Sequence, residues 1–363
     1  MTHKLQALFA EHYTDELHHS LPVFHQKVAS DILRCQTGAY GSTEISCGEC
    51  ESRKTVLNGC GNRYCSGCQK NKGALWAAKQ KLKLLPSVNY FMVTFTIPEE
   101  ARNCFHNNQQ ECYDALFYCA SQTIIEMLSD KQNLGVKNLG FFGVLHPGGR
   151  TMNYHPHIHF VVPNGGLSDD LSVWQNGRAD KIFDVIEACE IFREKITAKL
   201  LAFNSTYSDL NIVQDKGWHV CADAMGSGES LLEYLSRYLF KSVIAESNIL
   251  SWDDGKVSFQ HRKKTSNQLV KMTLTADEFL RRFFYLVLPK GFQKVRHYGF
   301  LSAKPPKTIS EIIEIISFGI ISQTDAIPKK KNESSQLRCD ICNSTKVTMV
   351  YTKPSQQNLI QKE

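Results

Sequence analysis

The residues best suited to chemistry lie in one stretch near the middle of the chain, Tyr-His-Pro-His-Ile-His-Phe-Val-Val at 154–162. Alternate side chains of a β-strand point to the same face, so His155, His157 and His159 would share one face of a strand. Imidazole nitrogens at this spacing bind divalent metal ions. The stretch therefore predicts a metal site. The alternative is a strand whose exposed face carries polar residues.

Two Cys-x-x-Cys pairs near the start of the chain form a second group with metal-ligand spacing. Cys47 and Cys50 are followed, after fourteen residues, by Cys65 and Cys68. Each pair aims two thiolates at one ion, and four thiolates give the closed tetrahedral coordination of structural zinc. We therefore expect these four residues to bind one Zn²⁺, with Cys60 as a competing ligand. The alternative is four buried free cysteines.

A further Cys-x-x-Cys pair, Cys339 and Cys342, is half a zinc site. It either completes a site with distant thiols or stays unliganded. The first twenty residues contain no apolar signal core, and no apolar run is long enough to span a bilayer. We therefore expect a cytoplasmic protein with reduced thiols and no membrane partner.

Tyr234 and Tyr238 are a third pair that could do chemistry. A capping-box pattern predicts that a helix begins near residue 230. Side chains four residues apart lie on one face of a helix, so both hydroxyls would point the same way, flanked by Arg237 and Lys241. Two half-buried tyrosines of an ordinary amphipathic helix are the alternative.

Positive charge is concentrated in the last third of the chain. The whole chain has a formal net charge of +6, whereas residues 261–307 contain eleven Lys or Arg and two acids. Aromatic residues are interspersed, and this mixture suits single-stranded nucleic acid because cations contact phosphates while rings stack on bases. The candidate contacts in this region are Arg281, Arg282, Lys294 and Arg296.

These groups must be positioned by strands and helices that the residue patterns indicate. Runs typical of strands lie at 90–97, 140–146, 154–162, 217–222, 257–260 and 269–274. Helical spacing of apolar residues occurs at 1–35, 99–130, 181–204, 279–288 and 309–322. Turn residues at 147–149 predict that the strand before them pairs with the histidine strand as a β-hairpin.

Together these features resemble the two-tyrosine HUH transposases of the insertion-sequence-91 type, which move by a rolling-circle route. The segments that carry the resemblance are 60–69, 93–98, 155–163, 234–238 and 288–299. The chain departs from the expected pattern at 42–45, where it lacks a histidine before the first cysteine pair. If that histidine binds zinc in relatives, the coordination here differs.

The resemblance implies an α+β fold with an antiparallel-sheet HUH nuclease core flanked by helices. Three consecutive segments are expected: N-terminal helices with a zinc-binding module at 1–85, the nuclease at 86–300, and a C-terminal helix, basic linker and Cys-x-x-Cys tail at 301–363. The activity implied is metal-dependent cutting and rejoining of single-stranded DNA, at the ends of the element and at its target.

The resemblance also implies residue roles. His157 and His159 would bind Mg²⁺ or Mn²⁺, of which Mn²⁺ suits imidazole better, and His155 would be a third ligand or would support the other two. Tyr234 and Tyr238 would attack phosphorus and form 5′-phosphotyrosine links. A plasmid rolling-circle replication initiator or relaxase shares this core and is one alternative. A non-catalytic zinc-finger DNA-binding protein is another.

Overall fold

The computed structural model describes residues 3–69, 72–178, 180–203, 217–228, 232, 243–263, 266, 268–321 and 338–353. The strands are β1 (Ser42–Cys47), β2 (Arg53–Leu57), β3 (Tyr90–Thr96), β4 (Gly140–Gly148), β5 (Tyr154–Pro163), β6 (Gly165–Leu167), β7 (Trp174–Asn176), β8 (His219–Ala224), β9 (Ile249–Ser251), β10 (Lys256–Arg262), β11 (Leu269–Thr275), β12 (Val295–Gly299) and β13 (Val347–Thr352). The helices are α1 (Lys4–His12), α2 (Asp15–Ser20), α3 (Val23–Leu33), α4 (Ser66–Gln69), α5 (Lys72–Lys81), α6 (Arg102–Asn107), α7 (Gln109–Ser129), α8 (Val185–Phe203), α9 (Ala276–Tyr285) and α10 (Ile309–Ile321). Among these described helices, none has both the length and the apolar character needed to cross a membrane.

The fold is α+β with antiparallel sheets, which confirms the class that the resemblance implies. It divides into two compact units. The first unit comprises Met1–Lys72, Phe240–Phe284 and Ile327–Glu363, and the second comprises Gly73–Leu239 and Tyr285–Ala326. This division differs from the three consecutive segments expected, because parts of the chain that are distant in sequence pack together within the first unit.

The second unit is built on a five-stranded antiparallel sheet with the strand order β12-β4-β5-β3-β8. Strands β4 and β5 are adjacent and antiparallel, which confirms the predicted hairpin. The register shifts between His146 and Gly148, close to the turn. The histidine strand β5 therefore lies at the centre of the sheet, between β4 and β3.

The core of the second unit lies against the apolar face of β5. Ile158, Phe160 and Val162 are all buried, as expected from the alternation of the strand. The ring of Phe160 lies 5.7 Å from that of Phe95 on β3 and 6.4 Å from that of Phe117 on α7. Because this face packs on a helix, the side chains of the opposite face are held in a fixed direction.

Gly143 allows the Phe160 ring to approach strand β4 closely. The two residues are direct partners in the β4–β5 register. A Cβ added at Gly143 would lie 2.6 Å from a carbon of that ring. The absence of a side chain here is therefore a packing requirement that keeps β4 and β5 aligned.

In the first unit, the tail of the chain completes a sheet that begins near the N-terminus. The strand order is β13-β1-β2, and every neighbouring pair is antiparallel. Strand β13 pairs with β1 over six residues, from Cys47 opposite Val347 to Ser42 opposite Thr352. This pairing explains why the tail belongs to the first unit. A second three-stranded sheet has the order β11-β10-β9.

Helix α1 connects the N-terminus to the segment Phe240–Phe284. The ring of Phe9 lies 5.1 Å from Phe283 and 5.9 Å from Phe284 on α9, and all three residues are buried. The carboxylate of Glu246 accepts the backbone N–H of Lys4 at 2.7 Å, which satisfies a free donor at the start of α1. Aromatic packing and helix capping thus join the two segments.

Candidate functional site

Three imidazoles meet on the face of the central sheet opposite its buried core. They belong to His146 on β4 and to His157 and His159 on β5. His146 lies directly opposite His157 in the register. One ring nitrogen of each residue lies within 4.8 Å of the others, and the distances between ring centroids are 4.8 to 5.3 Å. These distances are compatible with three ligands of one ion.

His155 is not part of this cluster, so the third imidazole is that of His146, and the supporting role expected for His155 stays a prediction. Its Nδ1 lies 3.3 Å from Nη2 of Arg102, and its carbonyl oxygen accepts a hydrogen bond from Nδ1 of His157 at 2.7 Å. His155 is four residues from His159, which is roughly 13 Å along the strand, whereas His146 lies directly opposite His157 and its ring centroid is 4.8 Å from that of His159. The cross-strand neighbour His146 is therefore better placed than the same-strand neighbour.

The environment keeps the histidines in the neutral form that binds metal. Burial lowers the pKa of His157 to about 4, and the charge of the nearby Lys294 contributes to the shift. Burial and the proximity of His157 lower the pKa of His159 to about 3. At neutral pH both rings are therefore uncharged.

Hydrogen bonds on the inner nitrogens orient the rings. Because Nδ1 of His157 donates to the His155 carbonyl, its Nε2 carries the lone pair that a metal would use. Nδ1 of His159 lies 2.8 Å from the hydroxyl of Thr94 on β3. Neutral imidazoles with such outer partners fit a divalent transition metal ion and fit Mn²⁺ better than Mg²⁺, which prefers oxygen ligands.

Tyr234, Tyr238, Arg237 and Lys241 lie outside the described residues. Of the other four expected DNA contacts, Arg281 and Arg282 both form ion pairs with Glu278 at 2.6 Å. Arg281 is the more exposed, with 58% of its side chain accessible against 22% for Arg282. Arg281 therefore exposes more of its side chain to solvent, and its contact with phosphate stays a prediction.

Arg296 has a structural environment that its charge alone does not reveal. Its guanidinium forms an ion pair with Asp114 on α7. The same group lies 4.3 Å from the ring centroid of Phe117 and 5.2 Å from that of Phe292. Contacts of this kind stabilise packing between β12 and α7, so Arg296 is not simply a surface cation.

The first cysteine cluster combines Cys65 and Cys68 with Cys35 and Cys60. The sulfur of Cys35 lies 3.5 Å from those of Cys65 and Cys68, and the sulfur of Cys60 lies 3.7 Å from that of Cys68. Zinc–sulfur bonds of about 2.3 Å in a tetrahedron place sulfurs about 3.8 Å apart. The cluster therefore fits one structural zinc ion.

His3 supports this first cluster from outside. Its Nε2 lies 3.5 Å from the sulfur of Cys65, and its Nδ1 lies 3.5 Å from the Glu246 carboxylate. Burial lowers the pKa of His3, but hydrogen bonds to Cys35 and Glu246 outweigh this effect and raise the pKa to about 9. The imidazole thus lies between a sulfur of this cluster and the carboxylate that caps α1, and its Nδ1 also accepts the backbone N–H of Gln6 at 3.3 Å.

Cys47 and Cys50 belong to a second cluster, with Cys339 and Cys342. The expectation that they share one ion with Cys65 and Cys68 is therefore corrected. Strand β1 is six residues long, which corresponds to roughly 17–20 Å. Its first end adjoins the segment leading to Cys60, since Asn58 N donates to the Gly41 carbonyl at 3.0 Å, and Cys47 lies at its other end. The strand thus separates the two pairs.

Sequence reasoning missed Cys35 and His146 as candidate ligands and treated Cys60 only as a competitor. Cys35 is isolated in the sequence and belongs to no Cys-x-x-Cys pair. His146 lies in a predicted strand, but its position opposite His157 depends on a register shift near the turn that the sequence does not reveal.

Comparisons with known proteins identify two regions. A family described as "Putative transposase" matches residues 140–308, and a "Transposase zinc-binding domain" of the IS91 type matches residues 6–97. The protein named "Putative transposase y4qJ" of Sinorhizobium fredii is 32% identical to this chain. The match covers 78% of this chain and 76% of the relative's own length. The transposase for insertion sequence element IS801 of Pseudomonas savastanoi pv. phaseolicola is 26% identical over 90% of this chain and 83% of its own length. No solved structure matches.

Proposed function

We propose that this chain, which belongs to the family of insertion-sequence-91-type transposases, cuts and rejoins single-stranded DNA through covalent links to tyrosine. As a transposase of an insertion sequence it is a DNA-binding, DNA-cleaving enzyme. The finer proposal concerns the chemical route, and the observation that carries it is the cluster of His146, His157 and His159.

These three imidazoles would hold a divalent cation, with Mn²⁺ preferred to Mg²⁺. When bound, such an ion supplies Lewis-acid polarisation of a phosphate oxygen. The chain's own contribution is orientation and charge state. His157 presents Nε2 because its Nδ1 donates to a carbonyl, and Thr94 fixes the ring of His159. The low pKa values of His157 and His159 keep both lone pairs available at neutral pH.

Tyr234 and Tyr238 are the proposed nucleophiles, on the basis of their sequence context. The phenolic oxygen of one tyrosine would attack phosphorus, and the bond from phosphorus to the 3′ oxygen would break. The tyrosine would then carry the 5′ phosphate, and the leaving oxygen would take up a proton to become a 3′ hydroxyl. Because the intermediate is still a phosphodiester, rejoining the strands needs no nucleoside triphosphate. Two tyrosines would serve the donor and target strands.

The two relatives favour a transposase over a plasmid replication initiator or relaxase. Both are named as transposases, and this chain matches most of the length of each. A non-catalytic zinc-finger protein would bind DNA but form no covalent product. Cleavage chemistry is therefore what separates that class from the proposal.

The direct test uses single-stranded oligonucleotides that cover the ends of the insertion sequence, labelled at the 3′ end, with Mn²⁺. A 5′-phosphotyrosine link retains the 3′-labelled fragment, so label should migrate with the protein in a denaturing gel. Tyr234→Phe/Tyr238→Phe should form no adduct, while Tyr118→Phe, at an exposed tyrosine on α7, should behave as wild type. An adduct only with 5′-labelled DNA, or one mapped outside Tyr234 and Tyr238, contradicts the proposal.

A further inference from the structure

The second cysteine cluster joins residues from opposite ends of the chain. The sulfurs of Cys47 and Cys342 lie 3.5 Å apart, and those of Cys50 and Cys339 lie 3.6 Å apart. All four sulfurs lie within 4.8 Å of one another. The matched zinc-binding domain ends at residue 97 and so contains only half of this set.

Both Cys-x-x-Cys turns in this cluster have the same local geometry. The backbone N–H of Glu49 donates to the sulfur of Cys47 at 3.4 Å, and that of Ile341 donates to the sulfur of Cys339 at 3.4 Å. In each turn the donor lies two residues after the first cysteine. A backbone N–H that points at sulfur stabilises a thiolate, the form that binds metal.

The backbone around the cluster is aligned by β-pairing. Cys47 is the register partner of Val347, and Gly48 N donates to the Lys346 carbonyl at 2.8 Å. The two turns are therefore brought together at one end of the β1–β13 ladder. Four sulfurs at this separation match the tetrahedral spacing of about 3.8 Å expected around zinc.

We propose that Cys47, Cys50, Cys339 and Cys342 bind a second structural zinc ion, which fastens the C-terminal tail to the N-terminal zinc-binding module. Binding converts the thiols to thiolates and releases their protons to solvent, so no oxidant or reductant is required. The site is independent of the histidine and tyrosine chemistry proposed above.

The tail needs such a fastening because it buries little apolar surface. Tyr351 and Ile341 are each 77% exposed, and Val350 is 55% exposed. The ion pairs of Lys54 with Asp340 and of Lys346 with Glu49 are also exposed. Exposed ion pairs contribute little to stability. Bringing the tail back to β1 also costs conformational entropy, which other interactions must offset. Zinc binding would supply the free energy that holds the tail against β1.

Zinc content of the purified full-length chain tests the proposal. Cys339→Ser/Cys342→Ser should contain about one zinc ion per chain fewer than wild type. Amide hydrogen exchange in β13 should accelerate in this variant, because the strand loses its attachment. Cys221→Ser removes an exposed cysteine on β8, outside both clusters, and should change neither quantity.

Cys342→His tests the same site in a variant that can still bind metal. Imidazole is a normal zinc ligand, so this variant should retain the wild-type zinc content and the slow exchange of β13. Unchanged zinc content in Cys339→Ser/Cys342→Ser would overturn the proposal. So would the detection of Cys47–Cys342 and Cys50–Cys339 disulfides in protein purified under non-oxidising conditions.

Discussion

His146 and His157 face each other across β4 and β5, with their ring centroids 5.3 Å apart and their ring planes nearly perpendicular. A ligand pair of this kind depends on the pairing of two strands. It therefore predicts that the first strand of the hairpin matters for chemistry as much as the histidine stretch does.

His146→Ala should reduce metal-dependent DNA cleavage by roughly 100-fold or more, the scale on which a transition state loses electrostatic stabilisation. His155→Ala should have a smaller effect, because His155 contributes a carbonyl oxygen that any residue can provide. Binding of single-stranded DNA in the absence of metal should be similar in both variants. A larger loss of cleavage in His155→Ala than in His146→Ala would show that the ligand set is wrong.

Thr94→Val should weaken binding of Mn²⁺ about 10- to 100-fold, as expected when a metal-bound histidine loses its outer hydrogen-bond partner. Valine keeps the shape of threonine but cannot bond Nδ1 of His159. The Mn²⁺ concentration for half-maximal cleavage measures this effect. Thr55→Val, at an exposed threonine on β2, is the control and should leave it unchanged. Equal shifts in both variants would mean that the effect is not specific to His159.

The free energy of unfolding should decrease as the pH is lowered, because His157 and His159 are buried in the uncharged form. The pKa values of His157 and His159 are lowered from 6.5 to about 4 and about 3 on folding. Below pH 6.5 the unfolded chain takes up protons that the folded chain refuses, so stability present above pH 6.5 is lost towards pH 4. At pH 5 the loss is at most about 2 kcal/mol for each histidine.

Urea unfolding of chelator-treated protein at pH 7 and pH 5 measures this loss. Other groups, including the cysteines, also respond to pH, so the comparison is made with His157→Gln/His159→Gln. The double variant should lose less stability than wild type between the two pH values. An identical loss in both proteins would rule out the histidines as its source.

Cys35→Ser should lower zinc content by about one ion per chain and destabilise the protein by several kcal/mol, because binding of a structural zinc is coupled to folding. Cys35 contacts two other sulfurs of its cluster at 3.5 Å. Metal analysis and thermal unfolding give the two readouts. Cys189→Ser, at a half-buried cysteine in neither cluster, should retain all its zinc. Full zinc occupancy in Cys35→Ser would exclude Cys35 as a ligand.

Arg281 and Arg296 should respond differently to substitution by alanine. Arg296→Ala removes packing over Phe117 and a partner of Asp114, and should lower the unfolding free energy by about 1–2 kcal/mol. Arg281→Ala removes a largely exposed side chain that pairs with Glu278, and should instead reduce the salt dependence of single-strand binding by about 0.7 in the log–log slope. A reduced slope in the Arg296 variant with unchanged stability would reverse these roles.

Strand alternation is a local property, which is why the directions of His157 and Ile158 could be predicted from the sequence. The β4–β5 hairpin followed from a similarly local pattern, whereas the α+β class came from the resemblance to a known family. Cross-strand register is different, because it depends on the shift between His146 and Gly148 near the turn. His146 could therefore be read as the end of a strand, but not as a ligand.

The cysteines show the same limit at longer range. A Cys-x-x-Cys pair reports that two sulfurs face one ion, but not which second pair completes the site. Cys47 was joined to Cys65 because they are close in sequence, whereas β1 separates them and β13 brings Cys342 to Cys47 from 295 residues away. The charge of Arg296 likewise gave no sign of Asp114, its partner across 182 residues.

The pairing of β1 with β13 also determines when this protein can finish folding during its synthesis. Strand β1 leaves the ribosome early, but its partner at Val347–Thr352 is translated about three hundred residues later. At a typical rate of about 5–20 residues per second, one edge of β1 stays open for roughly 15 to 60 seconds. Polar and charged side chains on this strand, such as Ser42, Thr43 and Glu44, make an open edge less prone to pair with other nascent chains.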